Sequence, residues 1–187
     1  MRARFAADDW GLSPAINAGI LRLAEENCLY SVSIMATAPY IQHHLAELIA
    51  RARTGLQLSL HLNFTYGKPL SPPEQIPSLI DVTTGEFHSH RRLMLRGFSR
   101  RIRRRDVEQE FAAQLRRLHD ENIPVTGVDG HHHIHLLPGV AGPLHDALLR
   151  VGPSPLRVRL MADPRHRASY FQTQLFRRFI APRNSEL

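Results

Sequence analysis

The stretch Asp129-Gly130-His131-His132-His133-Ile134-His135 places four histidines within five positions, directly behind an acid and a glycine. A packed core tolerates one satisfied histidine more readily than a cluster of them. Read as extended chain, His131, His133 and His135 point one way and His132 the other, because side chains alternate along a strand. Imidazoles converging on one side suit a divalent metal; the alternative is a surface histidine loop. Two more stretches offer matching chemistry. Asp8-Asp9 supplies paired carboxylates near the start of the chain, and Ser13 already offers the helix cap that such a pair often provides. His61 lies near the C-terminal end of the alternating run Leu56 to Asn63, with the leucines on one face and Gln57, Ser59, His61 and Asn63 on the other. A half-exposed antiparallel strand with His61 in water is the competing reading. One carboxylate and two imidazoles would form a facial site with open positions for water and substrate. The second carboxylate could then act as a base.

These residues are far apart in the chain, so the elements between them must bring them together. Residues 3–7 read as a first strand, followed by a turn at 8–11. Ser13 and Pro14 start a helix reaching about Asn27. Residues 31–36 form a second strand, Tyr40 to about Arg53 a second helix, and 56–63 a third strand. Residues 64–90 read as a long loop, functional by its length. Arg91 to Arg105 is a basic run, read as a solvated face. Residues 106–121 are helical, with Val107, Phe111, Leu115 and Leu118 at helical spacing. A fourth strand at 125–129 feeds the histidines. A helix at 139–150, a strand at 156–160 and a helix at 170–180 complete the pattern. Alternation of this kind implies a parallel sheet with crossover helices. In such a sheet all strand C-termini share one edge, where Asp8-Asp9, His61 and His131 could meet. The expected fold is α/β, a distorted TIM-like barrel with about five βα units. A complete eight-unit barrel needs roughly 250 residues, so an open or incomplete barrel is expected, as one domain over 1–187.

The chain has 187 residues, 43% hydrophobic and 22% charged, an ordinary globular mixture. No apolar run is long enough to span a membrane, and the N-terminus lacks the apolar core of a signal peptide. A cytoplasmic protein is expected. Cys28, the single cysteine, allows no internal disulfide and reads as a buried, inert thiol. The net charge of +7 is carried almost wholly by arginine, which is as compatible with compositional bias as with an anionic partner.

Ala7-Asp8-Asp9-Trp10-Gly11-Leu12-Ser13-Pro14-Ala15-Ile16-Asn17, Leu60-His61-Leu62-Asn63-Phe64-Thr65 and Asp129-Gly130-His131-His132-His133-Ile134-His135 resemble, in that order, three motifs of the YdjC-like carbohydrate deacetylases. That family includes chitooligosaccharide deacetylase and the hopanoid-biosynthesis-associated deacetylases. The resemblance runs from about residue 5 to 160. It implies a distorted βα barrel and metal-dependent removal of N-acetyl groups from amino sugars. By position, Asp9, His61 and His131 match metal ligands for Mg2+ or Zn2+, and Asp8 matches the general base. His133 and His135 match motif positions expected to act in catalysis, as the proton donor to the leaving amine or as a support to the ligands. Trp10 stands where phenylalanine is usual, and Ser59 where glycine is common. The family's barrel continues past residue 187, so a C-terminally truncated chain is expected. The expected partner is an acetylated amino sugar; a homodimer is allowed, and neither nucleic acid nor a membrane span is expected.

Three rivals make different predictions. A glycoside hydrolase using Asp8 and Asp9 directly would work without metal, but adjacent strand residues point apart and poorly flank one bond. A basic nucleic-acid binder using Arg91–Arg105 would show steep salt dependence. A catalytically inactive fragment would still bind metal.

Overall fold

The computed structural model describes residues 5–150 and 156–159. In chain order the elements are β1 (Phe5–Trp10), α1 (Pro14–Glu25), β2 (Leu29–Ile34), α2 (Leu45–Ala52), β3 (Gln57–Leu62), β4 (Ile80–Asp81), β5 (Glu86–Phe87), α3 (His90–Phe98), α4 (Arg104–Asp120), β6 (Val125–Gly130), α5 (Ala141–Leu148) and β7 (Arg157–Val158). Five strands pair in parallel in the order β1-β2-β3-β6-β7, while β4 and β5 form a separate antiparallel ribbon. The α/β class and the five parallel strands agree with the sequence pattern. Among the described residues β1 and β7 stand at the sheet's two edges. The helix expected at 170–180 lies outside the described residues. No helix of the described residues is long and apolar enough to cross a membrane.

Alternation builds the sheet. Leu58, Leu60 and Leu62 of β3, Val32 and Ile34 of β2 and Val128 of β6 are buried in one core with Ile20, Leu48, Phe111, Leu118 and Leu144 from the helices. Each such side chain contributes roughly 1.5–3 kcal/mol by leaving water. The opposite face is polar. It carries a cavity of about 330 Å³ lined by residues including Tyr30, Ser31, Gln57, Ser59 and Arg157. Adhesion of helices to sheet therefore rests on the leucine face, and the polar face is left to chemistry.

Four local expectations change. The helix expected from Tyr40 begins only at Leu45, because its first carbonyls are taken. Asn17, fully buried, donates from Nδ2 to the carbonyls of Tyr40 and His43, both at 2.9 Å, and Trp10 Nε1 donates to Ile41 O at 3.1 Å. The strand expected to end at residue 7 continues through Asp8 and Asp9 to Trp10, with an irregular register between Ala7 and Trp10. Ser89, just ahead of the basic run, caps a helix that the sequence pattern does not resolve, α3. Cys28 is exposed rather than buried, since it falls after α1 instead of within it.

The long connection from β3 to α4 is not loose. Glu110 accepts from the backbone amides of Leu70 (3.0 Å) and Ser71 (2.8 Å), and Asp106 accepts from that of Ser78 (2.8 Å). Gln114 accepts from Asn63 N and donates to Asn63 O. Asp106, Glu110 and Gln114 are spaced by four along α4 and all buried, so one polar stripe of the helix satisfies the amides of the connection. Removing a partner from a buried donor costs about 1–3 kcal/mol per orphaned group. Glu110→Ala, which orphans two amides, is therefore expected to lower unfolding free energy by roughly 2–6 kcal/mol, read from the denaturant midpoint.

Candidate metal centre

Parallel pairing delivers the three motifs to one edge. His61 and Asp129 are register partners across β3 and β6, and β6 leads directly into the histidines. Asp9 lies in the irregular end of β1 with φ 67°, a left-handed conformation rare for a non-glycine residue. That twist separates the neighbouring carboxylates. Asp9 faces His61 and His131, whereas Asp8 faces Arg159.

Asp9 Oδ1 lies 2.9 Å from His131 Nδ1 and 3.2 Å from His61 Nε2. Ligand atoms of Asp9, His61 and His131 all fall within 4.8 Å of one another. The other nitrogen of His61, Nδ1, is 2.6 Å from Asp129 Oδ1, and the Ser33 hydroxyl donates to Asp129 Oδ2 at 2.6 Å. A carboxylate behind one imidazole nitrogen orients the ring and leaves the other nitrogen for a cation. Burial alone would lower the His61 imidazole, but its bonds to Asp129 and Asp9 outweigh it and raise the ring to about 9. The bond from His131, then that from His61, holds the Asp9 carboxyl far below the usual carboxylate range. Burial would raise the Asp129 carboxyl, yet His61, Arg159 and Ser33 keep it below its ordinary value. The site thus favours anionic carboxylates and holds a positive charge between them, which is the electrostatic condition a divalent cation also meets. The donor set of one carboxylate and two imidazoles fits such an ion. Asp8, His61 and Asp129 make a second group of converging donors, but Arg159 already pairs with both of its carboxylates.

Arg159 completes the arrangement. Its guanidinium donates to both oxygens of Asp8, each at 2.8 Å, and approaches Asp129 Oδ2 at 3.0 Å. Sequence reasoning gave this residue no role. The signal was present in Leu156-Arg157-Val158-Arg159, where alternation puts both arginines on the polar face of a strand. Ser33 and the supporting role of Asp129 were likewise missed. Both lie on polar-face positions of β2 and β6, which flank His61.

The histidine segment is not extended. Residues 131–136 form two short turns joined across a kink, where His132 and His133 adopt left-handed φ values of 53° and 56°. The alternation expected for His131, His133 and His135 therefore does not hold. Gly130 permits the turn to fold back, since a Cβ there would lie 2.8 Å from His135 Nδ1. His135 is fully buried, with Nε2 2.9 Å from the carbonyl of Arg159, and burial pushes its imidazole down to about 4. It sits behind the rim and ties the turn to β7. His133 is half-buried, and burial, then Arg159, lowers its imidazole; Asp8 lies within its electrostatic reach. His132 stacks beside His131 at 4.0 Å and His90 at 4.8 Å, with Nδ1 3.0 Å from Thr65 Oγ1. The rim is thus shared by the turn, α3 and the segment after β3.

Fold and site together define a class: parallel α/β proteins with a carboxylate–imidazole cluster at the C-terminal edge of the sheet. The model of the YdjC-like proteins matches residues 3–185, and the chain belongs to that family. A carbohydrate deacetylase of Geobacillus stearothermophilus is 34% identical over 134 residues, which is 72% of this chain and 50% of that protein. One from Oceanobacillus iheyensis is 27% identical over 154 residues, covering 81% and 60%. One from Vibrio campbellii is 31% identical over 138 residues, covering 74% and 51%. A crystal structure described as a cellobiose-phosphate cleavage protein of Enterococcus faecalis superposes with TM-score 0.70 at 25% identity, over 94% of this chain and 64% of that one. The chain thus spans about half the length of the Geobacillus relative.

Proposed function

We propose that this chain carries the metal-binding part of a carbohydrate deacetylase, a single domain of distorted-barrel type that removes N-acetyl groups from amino sugars. The observation that supports it best is the convergence of Asp9, His61 and His131 within 4.8 Å, beside a second carboxylate, Asp8, that is paired with Arg159. In this reading Asp9, His61 and His131 hold the ion. Two nitrogen donors suit Zn2+ better than Mg2+, which favours all-oxygen surroundings. A bound divalent cation supplies Lewis acidity, polarising an amide carbonyl and acidifying a water.

The remaining work belongs to the side chains. Asp8 accepts the proton of the attacking water. Arg159 occupies one lone pair on each Asp8 oxygen and leaves others free, since a carboxylate offers about four acceptor sites. Asp129 and Ser33 fix the ring of His61. In this reading His133, which burial and Arg159 keep neutral at rest, passes on to the leaving amine a proton it first takes up during the reaction, and His135 supports the turn through the carbonyl of Arg159. The products are acetate and a free amino sugar.

The direct test measures acetate released from a panel of N-acetylated amino sugars after chelation and after adding back Zn2+ or Mg2+. Release that stops on chelation and returns with metal is the expected outcome. Sugar cleavage that persists in chelator would favour the glycoside hydrolase instead. Stoichiometric metal uptake with no acetate from any substrate would mean an inactive fragment.

A further inference from the structure

The connection from β4 to α4 carries a surface that the hydrolytic reading leaves unused. One side of α3 is buried through Leu93 and Gly97, the latter packed against Leu137 and Pro138. The other side presents Leu95, 71% exposed, and Phe98, 59% exposed. Three positions apart, they share a helix face. Val82 of the β4–β5 ribbon is 85% exposed, and the ribbon is tied to α3 by Arg92 and Asp81 at 2.6 Å. Arginines flank this apolar tip. Arg91 lies one turn before Leu95, Arg100 and Arg101 follow Phe98, and Arg103 and Arg105 open α4; all are exposed. No ion pair joins these five to any described residue. Single exposed apolar residues are ordinary. Exposed apolar side chains beside arginines that form no ion pair among the described residues offer both halves of an amphipathic contact.

We propose that this surface docks on an anionic lipid bilayer, with Leu95, Phe98 and Val82 entering the headgroup boundary and the arginines gripping lipid phosphates. Arginine's planar fork matches a phosphate, and short apolar faces with basic flanks bind in the plane of the interface. A second copy of the chain fits poorly, because a two-fold contact would set the arginines against themselves. A nucleic acid would engage the arginines but leave Leu95 and Val82 against its sugar–phosphate chain. The proposal does not depend on the hydrolytic reading.

The test is flotation of the whole chain with phosphatidylcholine vesicles, with and without a quarter phosphatidylglycerol. Partitioning to the anionic vesicles is expected to exceed that to neutral ones by about tenfold or more. Leu95→Ser/Phe98→Ser and Arg91→Glu/Arg101→Glu should each remove most of it. Both pairs are exposed, so unchanged melting would verify folding. As a second readout, Phe98→Trp should shift its emission to the blue on anionic vesicles, against a constant background from Trp10, the only native tryptophan and fully buried. Equal or absent partitioning, indifference to both double variants, or an unshifted emission would overturn the proposal. So would tight binding of an RNA oligonucleotide, insensitive to the two serine changes and without vesicle binding.

Discussion

His131→Ala is expected to abolish stoichiometric binding of Zn2+ while leaving the metal-free fold nearly unchanged. His131 is one of three donors within 4.8 Å, and two donors do not hold an ion in a site otherwise open to water. Removing a group that only orients a ligand already costs about 10–100-fold in affinity, so loss of a donor should cost well over that. His132→Ala is the control. Its ring stacks on His131 and on His90 but is not among the converging donors. Titration against a chelating dye reads the affinities, and thermal melting in chelator checks the fold. Equal affinity in His131→Ala and the unaltered chain would remove the proposed centre, and the deacetylase reading with it.

Asp8→Asn separates binding from chemistry. The amide keeps the shape of the carboxylate and can still meet Arg159, but it cannot take a proton. General-base catalysis contributes about 10²–10⁴-fold, and turnover is expected to fall by that order while metal content stays stoichiometric. The loss should appear in kcat with KM little changed, since the step removed is made only in the transition state. Turnover within a few-fold of the unaltered chain would take Asp8 out of the base role and turn attention to the histidines.

The sequence made the site legible for a physical reason. Asp8-Asp9, His61 and the histidine run are polar residues at strand ends, where packing does not ask for them, and parallel strands share one C-terminal edge. The supports were harder to see. Ser33 and Asp129 are common residue types whose part depends on lateral register, His61 beside Asp129, and register is not written in any one strand. Arg159 was hidden among other arginines. The shape of the histidine segment does not follow from strand alternation, because β6 ends and the chain turns back at Gly130. The truncated α2 was missed for a related reason. Its periodicity was helical from Tyr40, but Asn17, far upstream, claims the carbonyls of Tyr40 and His43. Likewise α4 was read from Val107, Phe111, Leu115 and Leu118. Its second stripe, Asp106, Glu110 and Gln114, has no signal of its own in the sequence, because its partners are backbone amides of the chain following β3.

The contact between Asp9 and His131 joins residues 122 positions apart, and that between His61 and Asp129 joins residues 68 apart. Pairings so distant in the chain are expected to slow folding, because loop entropy must be lost before they form. The donors therefore come together only once β1, β3 and β6 have found one another. If the proposed centre takes up an ion, uptake during refolding is expected to follow formation of the sheet and would serve as a clock for its completion.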